Sequence, residues 1–182
     1  MSLLIGCKKQ PVQASLDYIY YGTVSGVVFN GKPWPAQSDW IISSPGLIGP
    51  ASAQCKGGLG YISIYSKTKE NYDREDLGIS GLPLRTGKII LTDTTLFNRC
   101  PSEPGALLYL SASEGDVLIG KYNLLLSVEN SVTITYYNTS TGDVEGTFDI
   151  SLVKDFLSPG YYTNYTDTVR FSGGTFKTKW LK

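Results

Sequence analysis

The stretch SVTITYYNTSTGDVEGTFDISLV, residues 131–153, alternates apolar and polar side chains almost without a break. A repeat of two residues is the pattern of a β-strand with one buried and one solvated face. The turn-forming sequence NTSTG, residues 138–142, separates two such runs. We therefore predict an antiparallel hairpin, because a solvated reverse face is typical of antiparallel sheets and not of parallel sheets covered by helices on both sides.

The same alternation predicts which side chains of this hairpin are buried. In the second run the apolar positions are Val144, Gly146, Phe148, Ile150 and Leu152. We expect Phe148 and Ile150 in the core and Glu145 and Asp149 on the solvated face. A register slip of one residue would exchange the two faces and bury the carboxylates.

Composition extends this pattern to the whole chain. A length of 182 residues suits one domain, and 20 Gly, 9 Pro and 13 Tyr favour short strands and tight turns over helices. We predict a single all-β domain at residues 17–182, preceded by a lipobox remnant and polar tether at residues 1–16. Its architecture is an antiparallel β-sandwich or a strongly curved meander of about nine or ten strands, or alternatively a lipocalin-like closed barrel, which has the same alternation.

Glycines mark two places where the chain changes direction. Asn30-Gly31 is a strong hairpin signal between a strand candidate at residues 17–30 and a return strand at residues 34–42. The sequence SGGT at residues 172–175 allows either a tight hairpin or a bulge inside one long terminal strand, because Gly-Gly permits positive φ angles.

The charges exclude several classes of function. Sixteen basic and sixteen acidic residues cancel, and no basic stripe with interleaved aromatic residues is present, so we expect no nucleic-acid partner. The chain has no histidine, the commonest general base and metal ligand. We expect no catalytic residue, metal or cofactor, since a hydrolase would need a nucleophile and a base that the sequence does not show.

Two groups of carboxylates could in principle form a metal site or a catalytic pair. Asp73, Glu75 and Asp76 lie close in sequence, but no EF-hand loop surrounds them and a solvated loop is expected. Glu145 and Asp149 would stand about 13 to 14 Å apart along one strand, which is too far for a glycosidase pair. Neither group predicts a catalytic or metal site.

The first residues carry a modification signal. Leu4-Ile5-Gly6-Cys7 resembles a bacterial lipobox, in which a cysteine becomes the lipid-bearing residue. Each buried CH₂ of an acyl chain contributes about 0.8 kcal/mol, so a multiply acylated Cys7 would hold the domain on a membrane. The alternative is an incidental cysteine in a plain N-terminal segment.

Cys55 and Cys100 remain once Cys7 is assigned to lipid. Two cysteines in an oxidising compartment tend to form a disulfide, and closing a loop of this length would stabilise the fold by roughly 4 kcal/mol. The alternative is a pair of buried free thiols.

Surplus aromatic residues give one candidate for a ligand or partner surface. Tyr161, Tyr162 and Tyr165, together with Trp34 and Trp40, combine apolar rings with polar tips, which suits a platform for a glycan or a protein. The alternative is that the tryptophans belong to the core and the tyrosines cover one end of a sandwich.

Spaced motifs give a family resemblance. The sequence VFNGKPWPA occupies residues 28–36, VTIT residues 132–135, and GTF residues 146–148 and again 174–176. With these motifs the chain resembles a family of small Bacteroidota envelope lipoproteins of unknown function, over residues 24–181. The resemblance implies an extracytoplasmic all-β domain and assigns no catalytic residue.

The resemblance also bears on location. In the group that this chain resembles, surface-displayed lipoproteins carry acidic residues just after the lipidated cysteine. Here Lys8-Lys9 follow Cys7 instead, which favours the periplasmic face of the outer membrane. We predict a non-enzymatic envelope lipoprotein that acts as a binding or structural module. The alternatives are a lipocalin-like carrier of a small apolar ligand and a carbohydrate-binding module that uses surface aromatic residues.

Overall fold

The computed structural model of the chain describes residues 19–20, 23–33, 42–43, 59–67, 73–93, 103–112, 117–159 and 165–179. The strands in these ranges are β1 (Ile19–Tyr20), β2 (Thr23–Ser25), β3 (Val28–Phe29), β4 (Lys32–Pro33), β5 (Ile42–Ser43), β6 (Leu59–Lys67), β7 (Asp73–Pro83), β8 (Gly87–Ile90), β9 (Gly105–Ser111), β10 (Leu118–Leu124), β11 (Ser131–Tyr137), β12 (Asp143–Leu157) and β13 (Thr168–Lys179). No helix in these ranges is long and apolar enough to cross a membrane.

Eleven of these strands form one sheet. Its main order is β4-β3-β13-β12-β10-β9-β7-β6, with β11 between β12 and β8, and β2 beside β13. β1 and β5 form a separate two-stranded sheet. All named strand pairs are antiparallel. The predicted all-β antiparallel architecture is confirmed.

The sheet is open, so the alternative of a lipocalin-like closed barrel is wrong. Within the described part of the chain its order begins at β4 and ends at β6. The physical reason is a branch: β11 pairs with the N-terminal half of β12, and β10 pairs with the C-terminal half. A carrier function that depends on a closed barrel loses its structural basis.

Asn130 occupies the point at which β12 changes partner. Its Oδ1 accepts a hydrogen bond of 2.6 Å from the Ser151 amide, and its Nδ2 donates at 2.8 Å to the Leu125 carbonyl. Leu125 in turn donates its amide to the Ser151 carbonyl at 2.9 Å. Asn130 is buried, and it satisfies backbone groups that neither neighbouring strand reaches.

The hairpin of residues 131–153 is confirmed as β11 and β12. Phe148 and Ile150 are 3% and 0% exposed. Glu145 and Asp149 lie on the opposite face with part-exposed side chains, where Glu145 forms an ion pair with Lys177 and Asp149 one with Arg170.

The first strand candidate is divided in the structure, which raises the number of strands above the predicted count. Gly26, with φ +71°, separates β2 from β3, and the two strands pair with different parts of β13. The predicted Asn30-Gly31 turn is confirmed: φ is +48° at Asn30 and +78° at Gly31, as a two-residue hairpin of the primed type requires.

The terminal strand contains a bulge, which decides between the two predictions for residues 172–175. β13 is continuous, its register with β12 shifts near Gly173, and Gly173 has φ +67°. Beyond the bulge the two GTF motifs pair with each other, so that Gly146 lies opposite Phe176 and Phe148 opposite Gly174. Each phenylalanine ring occupies the space where a Cβ of the opposite glycine would stand.

Tyr165 shows how strongly the sheet curves. Its ring centroid lies 5.7 Å from that of Phe29 in β3 and 6.3 Å from that of Tyr122 in β10, and its hydroxyl donates to Glu75 in β7. β3 and β7 are five positions apart in the strand order, about 24 Å in a flat sheet. The sheet therefore folds over a single core, filled by side chains that include Tyr122, Phe171 and Phe176.

Candidate functional site

Most residues singled out from the sequence lie outside the described ranges. These are Cys7, Cys55, Cys100, Tyr161, Tyr162, Trp34 and Trp40. Lipidation of Cys7, the Cys55–Cys100 disulfide and the surface of Tyr161 and Tyr162 therefore stay predictions.

Tyr165 is the described member of the tyrosine group, and it is half-buried. Its ring packs against Phe29 and Tyr122, and its hydroxyl and that of Ser66 both donate to the Glu75 carboxylate. These contacts match the alternative in which a tyrosine covers one end of a sandwich. The ring of Tyr165 contributes to packing rather than to an open platform.

A different set of strand positions lines up across the side of the sheet that carries Lys121 and Phe156. Strand register places Tyr65 of β6 beside Asp76 of β7, Asp76 beside Tyr109 of β9, Tyr109 beside Lys121 of β10, and Lys121 beside Phe156 of β12. Directly paired residues of neighbouring strands lie on the same face of a sheet. We call these five positions the aromatic row.

Phe156 and its neighbours expose apolar surface at one end of the aromatic row. Phe156 is 41% exposed, and Leu118, one position further along β10 on the same face, is 47% exposed. Lys121 lies between them, and its ammonium group forms a 3.1 Å ion pair with Asp155. An apolar ring thus stands beside an ammonium and a carboxylate on an accessible surface.

Asp76 places a carboxylate near the other end of the aromatic row, next to Tyr65 and Tyr109 in the strand register. Ser63 donates a hydrogen bond to its carboxylate. Burial raises the pKa of Tyr109, and the charge of Asp76 raises it further. The same two causes, burial first, raise the pKa of Tyr61, against the effect of a hydrogen bond with Ser63. Both phenols are therefore neutral at neutral pH.

A second row crosses the same side of the sheet over its other branch. Register aligns Lys88 of β8, Thr133 of β11, Thr147 of β12, Thr175 of β13 and Ser25 of β2. We call it the hydroxyl row. The Ser25 and Thr175 hydroxyls are 2.8 Å apart and hydrogen-bonded, and Lys88 forms an ion pair with Glu129. Three residues of this row, Ser25, Thr175 and Lys88, are thus paired within the protein.

The carboxylates near residue 75 are separated by the sheet. The sequence predicts a solvated loop there, but the three residues belong to strand β7, which begins at Asp73. Glu75 lies on the core side with Ser66, and Asp76 lies on the other side as part of the aromatic row. Within the described ranges no group of three or more His, Cys, Asp or Glu side chains is close enough to hold a metal ion.

Sequence reasoning missed the aromatic row. Its members come from five strands, and each looks like an isolated polar or aromatic residue in its own strand. A weak signal exists in β6, where residues 61–65 alternate tyrosine and serine with isoleucine. Comparison with protein-family models, curated proteins and solved structures finds no match to this chain.

Proposed function

We propose that the chain is a non-enzymatic binding module of the bacterial cell envelope and that the aromatic row is its ligand-contacting surface. The observation that carries this proposal is the exposed Phe156 ring beside Leu118 and the Lys121–Asp155 ion pair. Exposed apolar rings that adjoin hydrogen-bonding groups are typical of binding surfaces, since a large apolar side chain gains free energy when a ligand covers it.

The hydroxyl row supports the choice of surface by contrast. It lies on the same side of the sheet, yet all its side chains are polar, and Ser25, Thr175 and Lys88 form hydrogen bonds or ion pairs within the protein. Covering it would release little apolar surface from water. A ligand therefore gains more free energy on the aromatic row.

A test of this function uses the full chain and an isolated bacterial envelope. We expect the chain to co-sediment with envelope fragments, and we expect the double variant Tyr109→Ala/Phe156→Ala to lose most of this binding. The double variant Thr133→Ala/Thr147→Ala is the matched control on the hydroxyl row and should sediment like the wild type. Equal binding by both double variants, or no binding by the wild type, would overturn the proposal.

The proposed location is the periplasmic face of the outer membrane, with the membrane as a partner through a lipid on Cys7. Support comes from the lipobox-like Leu4-Ile5-Gly6-Cys7 and from the two lysines that follow it. In cells that express the complete gene product, Cys7→Ala should move the protein from the membrane fraction to the soluble fraction. Unchanged fractionation, with no lipid mass on Cys7, would contradict the anchor.

A further inference from the structure

The aromatic row has a regular spacing of aromatic positions along the strand order. Aromatic residues take every second strand, at Tyr65, Tyr109 and Phe156, and charged residues take the strands between them, at Asp76 and Lys121. Neighbouring strands lie about 4.8 Å apart, so successive aromatic positions are separated by about 9.6 Å. Measured along the curved surface of the sheet, the whole row spans about 19 Å on the same basis.

This spacing discriminates between polymers that could lie across the strands. Side chains on one face of an extended peptide repeat at about 6.8 Å, which falls out of step with aromatic positions 9.6 Å apart. One disaccharide unit of an extended β-linked polysaccharide is close to the spacing of the row. Every second sugar ring would then meet an aromatic position, and the hydroxyl groups between would meet Asp76 and Lys121.

The charges on the row bear on the charge of the ligand. Asp76 and Asp155 are carboxylates, and Lys121 is the cation between them, already paired with Asp155. Burial and, second to it, the charge of Asp76 raise the pKa of Tyr109, so a negative charge at this position is disfavoured. An anionic polymer would bring like charges together on this surface and be repelled.

We infer that the ligand of the aromatic row is an uncharged, extended, β-linked glycan, an inference that rests on the proposed binding function. Phe156 and Tyr109 stack against the apolar faces of sugar rings two units apart. Asp76 accepts hydrogen bonds from sugar hydroxyls, and Lys121 donates to sugar oxygens. Such contacts combine ring stacking with hydrogen bonds from charged groups, which are the stronger ones.

Calorimetric titration of the full chain with purified oligosaccharides tests the ligand class. The probes are cellohexaose and chitohexaose, which are neutral, and hexagalacturonate, which is anionic. We expect at least one neutral hexasaccharide to bind and the anionic probe to bind at least tenfold more weakly. The disaccharide built from the same sugar as the neutral hexasaccharide that binds should also bind at least tenfold more weakly than that hexasaccharide. A disaccharide that binds as tightly as the hexasaccharide would overturn the row geometry.

Variants assign the binding to individual rings. Phe156→Ala and Tyr109→Ala should each weaken binding of the hexasaccharide by about tenfold, which is about 1.4 kcal/mol, because each removes a ring that stacks on a sugar. Tyr109→Phe keeps the ring and should retain most of the affinity, and Thr147→Ala should have no effect. Thermal unfolding of each variant checks that it is folded. Loss of affinity in Thr147→Ala alone would contradict the assignment.

The outcomes separate failure of this inference from failure of the proposed function. If the chain co-sediments with envelopes through Tyr109 and Phe156 but binds only the anionic glycan, the ligand class is wrong and the binding function stands. The same holds if protease treatment of the envelope abolishes co-sedimentation, because the partner is then a protein. If the double variant co-sediments like the wild type, both proposals fail.

Discussion

The aromatic row and the hydroxyl row lie on the same side of one sheet and share the strand β12, yet they differ in what they leave exposed. The hydroxyl row presents Thr147 and Thr175, flanked by the ion pairs Glu145–Lys177 at 2.9 Å and Asp149–Arg170 at 3.1 Å. The aromatic row presents Phe156, with Leu118 adjoining it.

The difference supports the proposal that the aromatic row, and not the hydroxyl row, is the binding surface. Exposed ion pairs of the kind that flank the hydroxyl row contribute only about 0 to 1 kcal/mol each, so that face is close to neutral for stability. Apolar area left in water costs roughly 25 cal/mol per Å², a free energy that a ligand recovers when it covers the aromatic row. The two halves of β12 therefore differ in the free energy that a ligand would gain by covering them.

The largest expected effect concerns the core-facing side of the sheet, opposite both rows. Phe148→Ala should lower the free energy of unfolding by about 3 to 5 kcal/mol, because it removes a buried ring that packs over Gly174. Urea denaturation measures this change. The matched variant on the solvated face is Asp149→Asn, which should change stability by about 0.5 kcal/mol or less. The reverse ranking would mean that the faces of β12 are misassigned.

The second effect concerns the point at which the two branches separate. Asn130→Ala should lower the free energy of unfolding by about 2 to 4 kcal/mol, because the part-buried Ser151 amide and Leu125 carbonyl lose their partners. Asn138 is the control: its Oδ1 caps an exposed turn by accepting from the Ser140 and Thr141 amides. Asn138→Ala should cost about 1 kcal/mol or less. Equal costs in denaturant melts would remove Asn130 from its structural role.

A third, smaller effect concerns the acidic end of the aromatic row. Burial and Asp76 hold the pKa of Tyr109 above its ordinary value, so Asp76→Asn should lower that pKa while leaving it raised by burial. NMR of isotope-labelled tyrosine follows the titration. If Asp76→Asn leaves the pKa of Tyr109 unchanged, then the charge of Asp76 does not act on that phenol.

The same raised pKa sets the direction of a stability change with pH. Tyrosines of the unfolded chain have a pKa of about 10. In the folded protein the pKa values of Tyr61 and Tyr109 are higher, so these phenols lose their protons at higher pH. The folded state then binds more protons than the unfolded state, so stability is constant below this range and falls as the pH rises through it. Denaturant melts on both sides of pH 10 measure the slope.

The hairpin at residues 131–153 was predictable because its periodicity and its core contacts are local. Phe148 and Ile150 fall on one face by alternation alone, and the Asn30-Gly31 turn follows from the conformations that those two residues tolerate. The bulge at Gly173 was one of two alternatives, since Gly-Gly is compatible with both a turn and a bulge. Strand pairing, which is not local, decided between them.

The aromatic row was not predictable because bulges change the parity of residues along a strand. In β12 the odd-numbered residues face solvent as far as Val153, but a register shift opposite Lys121 places Phe156 on that same face. A second shift, at Ile119 in β10, moves Leu118 onto it. Alternation alone assigns Phe156 to the core side, and only the register with β10 corrects this.

Chemical-shift mapping of the labelled full chain with cellohexaose and chitohexaose tests most directly whether the aromatic row is the binding surface. The account predicts that the amide signals of Tyr109, Lys121 and Phe156 shift with a common affinity, while those of Thr147 and Thr175 on the hydroxyl row stay unchanged. Shifts confined to Thr147 and Thr175, with Tyr109 and Phe156 unaffected, would contradict it.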